Sequence, residues 1–139
     1  TVMRAFKFMV ITPDRILFDG DVEQIIVRTT EGDVGVLAGH ENYVANLPAG
    51  VLKITLAGGE VKYAAIAGGV INVSHEKITR IITTAAEWGE DIDVIWANRS
   101  KEDALNKIKQ AKTDSEMSRA ELKLKRALNR IRVSSLQKH

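Results

Sequence analysis

The sequence predicts an α+β chain, an N-terminal antiparallel β-sandwich followed by a C-terminal antiparallel two-helix hairpin, and three observations carry that prediction. All ten glycines lie at or before Gly89, and both prolines, Pro13 and Pro48, come early. Tight turns therefore belong to the first part, and long helices are free to form in the second. Before Glu87 the apolar residues alternate in short runs broken by turn residues, whereas from Asp91 their spacing lengthens to about 3.6. Charge divides at the same place: 8 basic and 11 acidic residues up to Glu90 give net −3, and 12 basic and 7 acidic from Asp91 onward give net +5. We place the sandwich at residues 1–87 and the hairpin at 88–139.

The first strand is expected over Ala5 to Thr12, where Phe6, Phe8 and Val10 alternate with Lys7 and Met9 to make one buried face. Pro13-Asp14 turns it. Ile16 to Phe18 follows, then a turn at Asp19-Gly20-Asp21, then Val22 to Thr29 with Ile25 and Val27 inward. Gly32 to Leu37, a loop around Gly39-His40-Glu41, and Val44 to Leu47 come next. Val51 to Leu56 puts Leu52, Ile54 and Leu56 on one side, and Gly58-Gly59 is a hairpin turn into Glu60 to Ala67. Gly68-Gly69 precedes Val70 to Ser74, and Ser74-His75-Glu76 connects to Lys77 to Thr84. Such short strands with close turns imply antiparallel pairing in a sandwich or barrel. Trp88-Gly89-Glu90 marks the boundary, with Gly89 suited to a left-handed conformation.

In the second part Ile92, Ile95, Trp96, Ala104, Leu105, Ile108 and Ala111 fall at helical spacing, with Asp91 and Asp93 at the start and Lys107, Lys109 and Lys112 near the end, matching the helix dipole. Thr113-Asp114-Ser115 offers capping residues for a second helix. Its stripe is Met117, Ala120, Leu124, Ala127 or Leu128, and Ile131, flanked by Arg119, Lys123, Arg126 and Arg130. From Arg119 onward seven basic residues face one acid, Glu121. Two helices have little core of their own, so the hairpin must lean on the sandwich, on a partner, or exchange between them. The basic stripe suits an acidic protein surface, a nucleotide or a nucleic acid, beside plain solvation.

Several functions are disfavoured. Without cysteine there are no disulfides and no thiolate metal sites, which fits a reducing interior. No apolar run approaches the roughly 20 residues that span a bilayer, and the start of the chain leads into a strand rather than a signal peptide. His40, His75 and His139 show no metal-ligand spacing, Glu31 and Asp33 flank Gly32 as in a turn rather than an acid–base pair, and neither a phosphate loop nor a dinucleotide fingerprint is present. The residues therefore suggest no catalytic group, no metal and no cofactor. A nucleic-acid role would use the Lys and Arg of the hairpin, but the acidic sandwich and the lack of any reader motif oppose it.

Three stretches carry a resemblance. Thr29-Thr30-Glu31-Gly32-Asp33-Val34-Gly35-Val36-Leu37-Ala38-Gly39-His40 is similar to the T-x-E-G-x-x-G-x-L-x-x-H segment of the epsilon subunits of bacterial F-type ATP synthases. Ala67-Gly68-Gly69-Val70-Ile71-Asn72-Val73, then Ile78 to Ala85 and Ala86-Glu87, resembles that family's glycine pair, strand and exit into the helices. Arg119-Ala120-Glu121-Leu122 and Lys125-Arg126-Ala127-Leu128-Asn129-Arg130 resemble its second C-terminal helix.

The resemblance implies a sandwich of about ten strands on a central rotor, bound to the gamma subunit and to the ring of membrane-embedded c subunits, with Glu31 and His40 at the rotor contact. It implies a non-catalytic, peripheral protein at the cytoplasmic face of the cell membrane, held there by other chains. It implies a hairpin that permits turnover when folded on the sandwich. Extended along gamma, the hairpin blocks ATP hydrolysis as Arg119, Lys123, Arg126 and Arg130 reach acidic beta subunits of the catalytic alpha/beta head. Some members bind regulatory ATP at an I-D-x-x-R-A motif; here Ile92, Asp93 and Ala97 are kept, Glu87, Arg126 and Arg130 stand at the companion positions, and Trp96 replaces the motif arginine. Losing that contact, about 1.5 to 3 kcal/mol, implies weak or absent nucleotide binding, with Trp96 expected to pack within the hairpin. A stand-alone ATP sensor and a basic nucleic-acid adaptor are the alternatives.

Overall fold

A computed structural model describes residues 4–29, 32–37, 42–74 and 78–138 of the chain. The strands are β1 (Phe6–Ile11), β2 (Ile16–Thr29), β3 (Gly32–Leu37), β4 (Tyr43–Leu47), β5 (Gly50–Leu56), β6 (Val61–Ile66), β7 (Gly69–Val73), β8 (Ile78–Thr83) and β9 (Ala86–Trp88). A single 3₁₀ turn (Gly89–Asp91) leads to α1 (Val94–Gln110) and α2 (Asp114–Gln137).

The sheet runs β4-β7-β8-β1-β2-β5-β6-β9, with β3 also paired to β2. The first half of β2 pairs with β1 and its second half lies between β3 and β5. The sheet folds over on itself about this 14-residue strand, and the inward residues of both layers meet in one core. Phe8, Val10, Ile25, Leu52, Ile54, Ile71 and Ile81 are fully enclosed there. The alternation read from β1 holds, with Phe6, Phe8 and Val10 buried and Lys7 exposed.

Three local expectations are corrected. Asp19-Gly20-Asp21 is not a turn: Asp19, Gly20 and Asp21 pair with Met9, Phe8 and Lys7 in mid-strand. Gly20 is there because the Phe18 ring lies over it; a Cβ would sit 3.3 Å from the ring. One pairing, β1 with β8, is parallel, because β8 returns beside β1 after a long excursion through the other layer. The third concerns the exit from the sheet. The boundary expected after Glu87 falls inside β9, a strand too short to show alternation, whose Trp88 pairs with Ala64. Gly89 does not take a left-handed conformation. Its missing side chain instead admits α2, since a Cβ would stand 2.8 Å from Cβ of Gln137 and 3.1 Å from the Val133 carbonyl.

The glycine pair has a steric reason of its own. Gly69, at φ 153°, lets β7 approach β8 so closely that a Cβ would overlap the Ile82 carbonyl oxygen at 2.0 Å.

Candidate functional site

The candidate site is the seam where the hairpin meets the sandwich. Each helix begins where its capping residue stops it. The Asp93 carboxylate accepts from the Trp96 N–H at 3.0 Å and starts α1; Thr113 Oγ1 accepts from the Glu116 N–H at 3.1 Å and starts α2. The Glu116 carboxylate reaches back to the Lys112 N–H at 3.1 Å, closing the connection between the helices.

The helices meet through small side chains. Ala97 and Ala104 are the buried residues of α1, and Ala120 and Ala127 face them from α2. The choice left open between Ala127 and Leu128 is settled by exposure, since Ala127 is 2% exposed and Leu128 47%. Alanine allows close approach but buries only a methyl group, about 0.8 kcal/mol each, so α1 is held weakly. A polar clamp supplements it: Lys123 donates to the Asp103 carboxylate, which Lys107 also reaches at 3.1 Å. These partners, Lys123 first, hold the Asp103 carboxyl below the usual carboxylate range, and Asp103 raises the Lys123 ammonium above the usual lysine range.

The C-terminal half of α2 lies on the sheet. Val133 is fully buried with Ile92 and Ala65, against Val51 and Tyr63. Thus Ile92 precedes α1 and plugs the space between β6 and α2. Asn129 donates to the Gly50 carbonyl at 2.8 Å, and the Tyr63 N–H, beyond the reach of the short β9, donates to Gln137 Oε1 at 2.8 Å. Arg130 donates from Nε and Nη2 to the two carboxylate oxygens of Glu87 on β9. Residues 129, 130, 133 and 137 therefore form one stripe of α2 that latches to the end of the sandwich.

Beside the latch is a cleft of about 410 Å³ whose polar lining includes Arg15, Glu87, Arg126, Asn129 and Arg130. The structure thus brings Glu87, Arg126 and Arg130 together. Asp93 is engaged as a helix cap, and Ile92 and Ala97 are buried in packing. Arg15 was not singled out in the sequence, because it sits in an ordinary turn; Thr12 holds that turn, and Arg15 Nη2 donates to the Ala86 carbonyl at 3.4 Å. Arg119 and Arg126 are exposed, while Lys123 is taken up by Asp103. Trp96 does not pack within the hairpin: it is 59% exposed beside Ile95 at 70%, because the alanine seam lies about a quarter of a turn away around α1 and leaves the Trp96 side to solvent. Glu31, His40, His75 and His139 lie outside the described residues. Among the described residues no group of His, Cys, Asp or Glu is placed to hold a metal.

Comparison with known proteins follows the same division of the chain. Residues 5–89 match the beta-sandwich domain, and residues 90–135 the long alpha-helix domain, of the ATP synthase delta/epsilon chain. The chain is 43% identical to the ATP synthase epsilon chain of Ruminococcus albus over 133 residues, covering 96% of this chain and 98% of the relative. It is 40% identical to that of Caldicellulosiruptor saccharolyticus, covering 94% of each. A chain in the mitochondrial ATP synthase of Euglena gracilis, solved with OSCP, F1 and the c-ring, superposes with a TM-score of 0.79 at 27% identity, over all of this chain and 84% of that one. A chain in the central stalk and c-ring of the Tetrahymena thermophila enzyme shares the fold, with a TM-score of 0.65 at 19% identity, over 96% of this chain and 99% of that one.

Proposed function

Because the chain belongs to the ATP synthase delta/epsilon family, we propose that it is a non-catalytic central-stalk subunit that couples rotation to the catalytic head and restrains ATP hydrolysis by releasing its hairpin. The sandwich is the coupling part. Its core is complete without the helices, and its outer face carries an uncovered apolar row: Ile16 (55% exposed) and Ile82 (53%) flank Ile11 in register, next to Val70. A row of this kind is what a stalk partner would cover. The gamma subunit and the c-ring are the partners this reading names. No helix among the described residues is long and apolar enough to cross a membrane, so in this reading the partners hold the chain at the membrane.

The hairpin is the regulatory part, and the observation that carries the proposal is its seam. One helix is held by alanine methyls and an exposed clamp, the other by a single latch stripe, so folded and released packings differ by little in free energy. Release would free Lys123 and Arg130 from Asp103 and Glu87 and join them to Arg119 and Arg126. Four cations would then be available to an acidic surface of the head. The test is the ATPase rate of the assembled head with and without the hairpin.

The nucleotide-sensing alternative draws less support. Glu87 is taken by Arg130, Asp93 by the helix start, and Trp96 stands where a third cation is wanted.

A further inference from the structure

A second surface lies on the other side of α2. Ile26, Lys53 and Tyr63 form a lateral row across β2, β5 and β6 on the outward face. Above them Lys125, Leu128, Arg132 and Leu136 follow one flank of α2 at steps of three and four, a flank used neither by the alanine seam nor by the latch. Between the two runs a groove of about 430 Å³. Its floor is apolar, with Ile26, Val51 and the 47%-exposed Leu128, and among the described residues its rim carries Arg28, Lys53, Lys125 and Arg132 against a single acid, Asp33, which pairs with Arg28 at 3.1 Å.

We propose that this groove docks an acidic amphipathic helix of a partner protein. Charge complementarity requires acids on the occupant's flanks, and the floor requires apolar anchors between them. The occupant is a helix rather than an added strand, because over this stretch β2 and β5 have strand neighbours on both edges, and β6, paired with β5 on one edge, has its Tyr63 N–H taken by Gln137 on the other. One wall belongs to the sheet and the other to α2, so the groove exists only while the hairpin is folded on the sandwich. An occupant must therefore favour the folded hairpin by linkage. Resting on the function proposed above, such an occupant would keep the hairpin from reaching the head.

The experiment uses the full chain and a synthetic peptide of about 15 residues, near the shortest length at which isolated helices form. The peptide carries leucines at i, i+3, i+4 and i+7 and glutamates elsewhere, and its binding is followed by fluorescence anisotropy. It is expected to bind, more weakly as salt rises, and to lose roughly tenfold or more in affinity to the Lys125→Glu/Arg132→Glu variant and to Leu128→Asp. All three positions are on the surface, and circular dichroism checks that the variants fold. Bound peptide should also slow hydrogen exchange in α2 from Asn129 to Gln137. Absence of binding, variants that bind equally well, equal binding of a lysine-rich peptide or an RNA oligonucleotide, or occupation by a second copy of the chain would each overturn the proposal. These readouts involve no ATP hydrolysis, so they stand or fall separately from the stalk role.

Discussion

Arg130 of α2 grips both carboxylate oxygens of Glu87 on the last strand, and this fork joins the helix to the end of the sheet. Both side chains are about a quarter to a third exposed, so the pair is worth roughly 1 kcal/mol after solvent screening. Glu87→Gln or Arg130→Ala should speed hydrogen exchange along the C-terminal half of α2 several-fold while leaving β1 and β8 unchanged. Exchange that rises equally in the sheet would show that the pair supports the whole fold rather than the latch.

Gly89 should matter for approach, not for backbone conformation. Gly89→Ala places a methyl against Gln137 and the Val133 carbonyl. Overpacking of this kind costs about 1 to 3 kcal/mol. Limited proteolysis should cut the hairpin of this variant well before the wild type and leave the sandwich intact. A hairpin as resistant as the wild type would mean that α2 does not close on Gly89.

Much of this was legible in sequence, and the exceptions have physical causes. The strands of the sandwich show alternation because each has one buried face, and the helical stripe of α2 was visible because Ala120 and Ala127 keep its period. The continuity of β2 was hidden because Gly20, which looks like a turn, serves instead to seat the Phe18 ring. Trp96 was misplaced because hydrophobicity alone put the largest residue in the seam, whereas a seam of alanines excludes it. The pairings Glu87 to Arg130 and Asp103 to Lys123 span 43 and 20 positions, and no local pattern foretells contacts of that reach.

The clamp between Asp103 and Lys123 sets a pH window. Asp103 is lowered in the folded hairpin, so its contribution is present above the unfolded aspartate value, about 3.9, and lost as pH falls through the folded value. Lys123 is raised, so its contribution is present below the unfolded lysine value, about 10.4, and lost as pH rises through the folded value. Exchange in the first half of α2 should be flat between these limits once corrected for its intrinsic pH dependence, and should accelerate at both extremes. In Asp103→Asn the acid and alkaline limbs should both shrink; unchanged limbs would assign them to other groups.

ATP should bind the isolated chain weakly or not at all. With Trp96 in the motif position and Glu87 held by Arg130, a calorimetric titration should give a dissociation constant well above the micromolar range, corresponding to less than about 8 kcal/mol. Micromolar or tighter binding would revive the sensor alternative and point to Arg15 as the replacement cation in the cleft.

The central claim is that the hairpin restrains hydrolysis while the sandwich alone assembles. Among the described residues the sandwich core cluster draws only on strand residues, so a chain ending at Glu90 should fold and join the stalk. The deciding measurement is the ATPase rate of the assembled head carrying the full-length chain, beside heads carrying that truncated chain or the Arg119→Glu/Arg126→Glu variant. Both arginines are exposed in the folded hairpin, so this variant leaves the latch in place. The account predicts equal assembly in all three and faster hydrolysis in the latter two; equal rates throughout would contradict it.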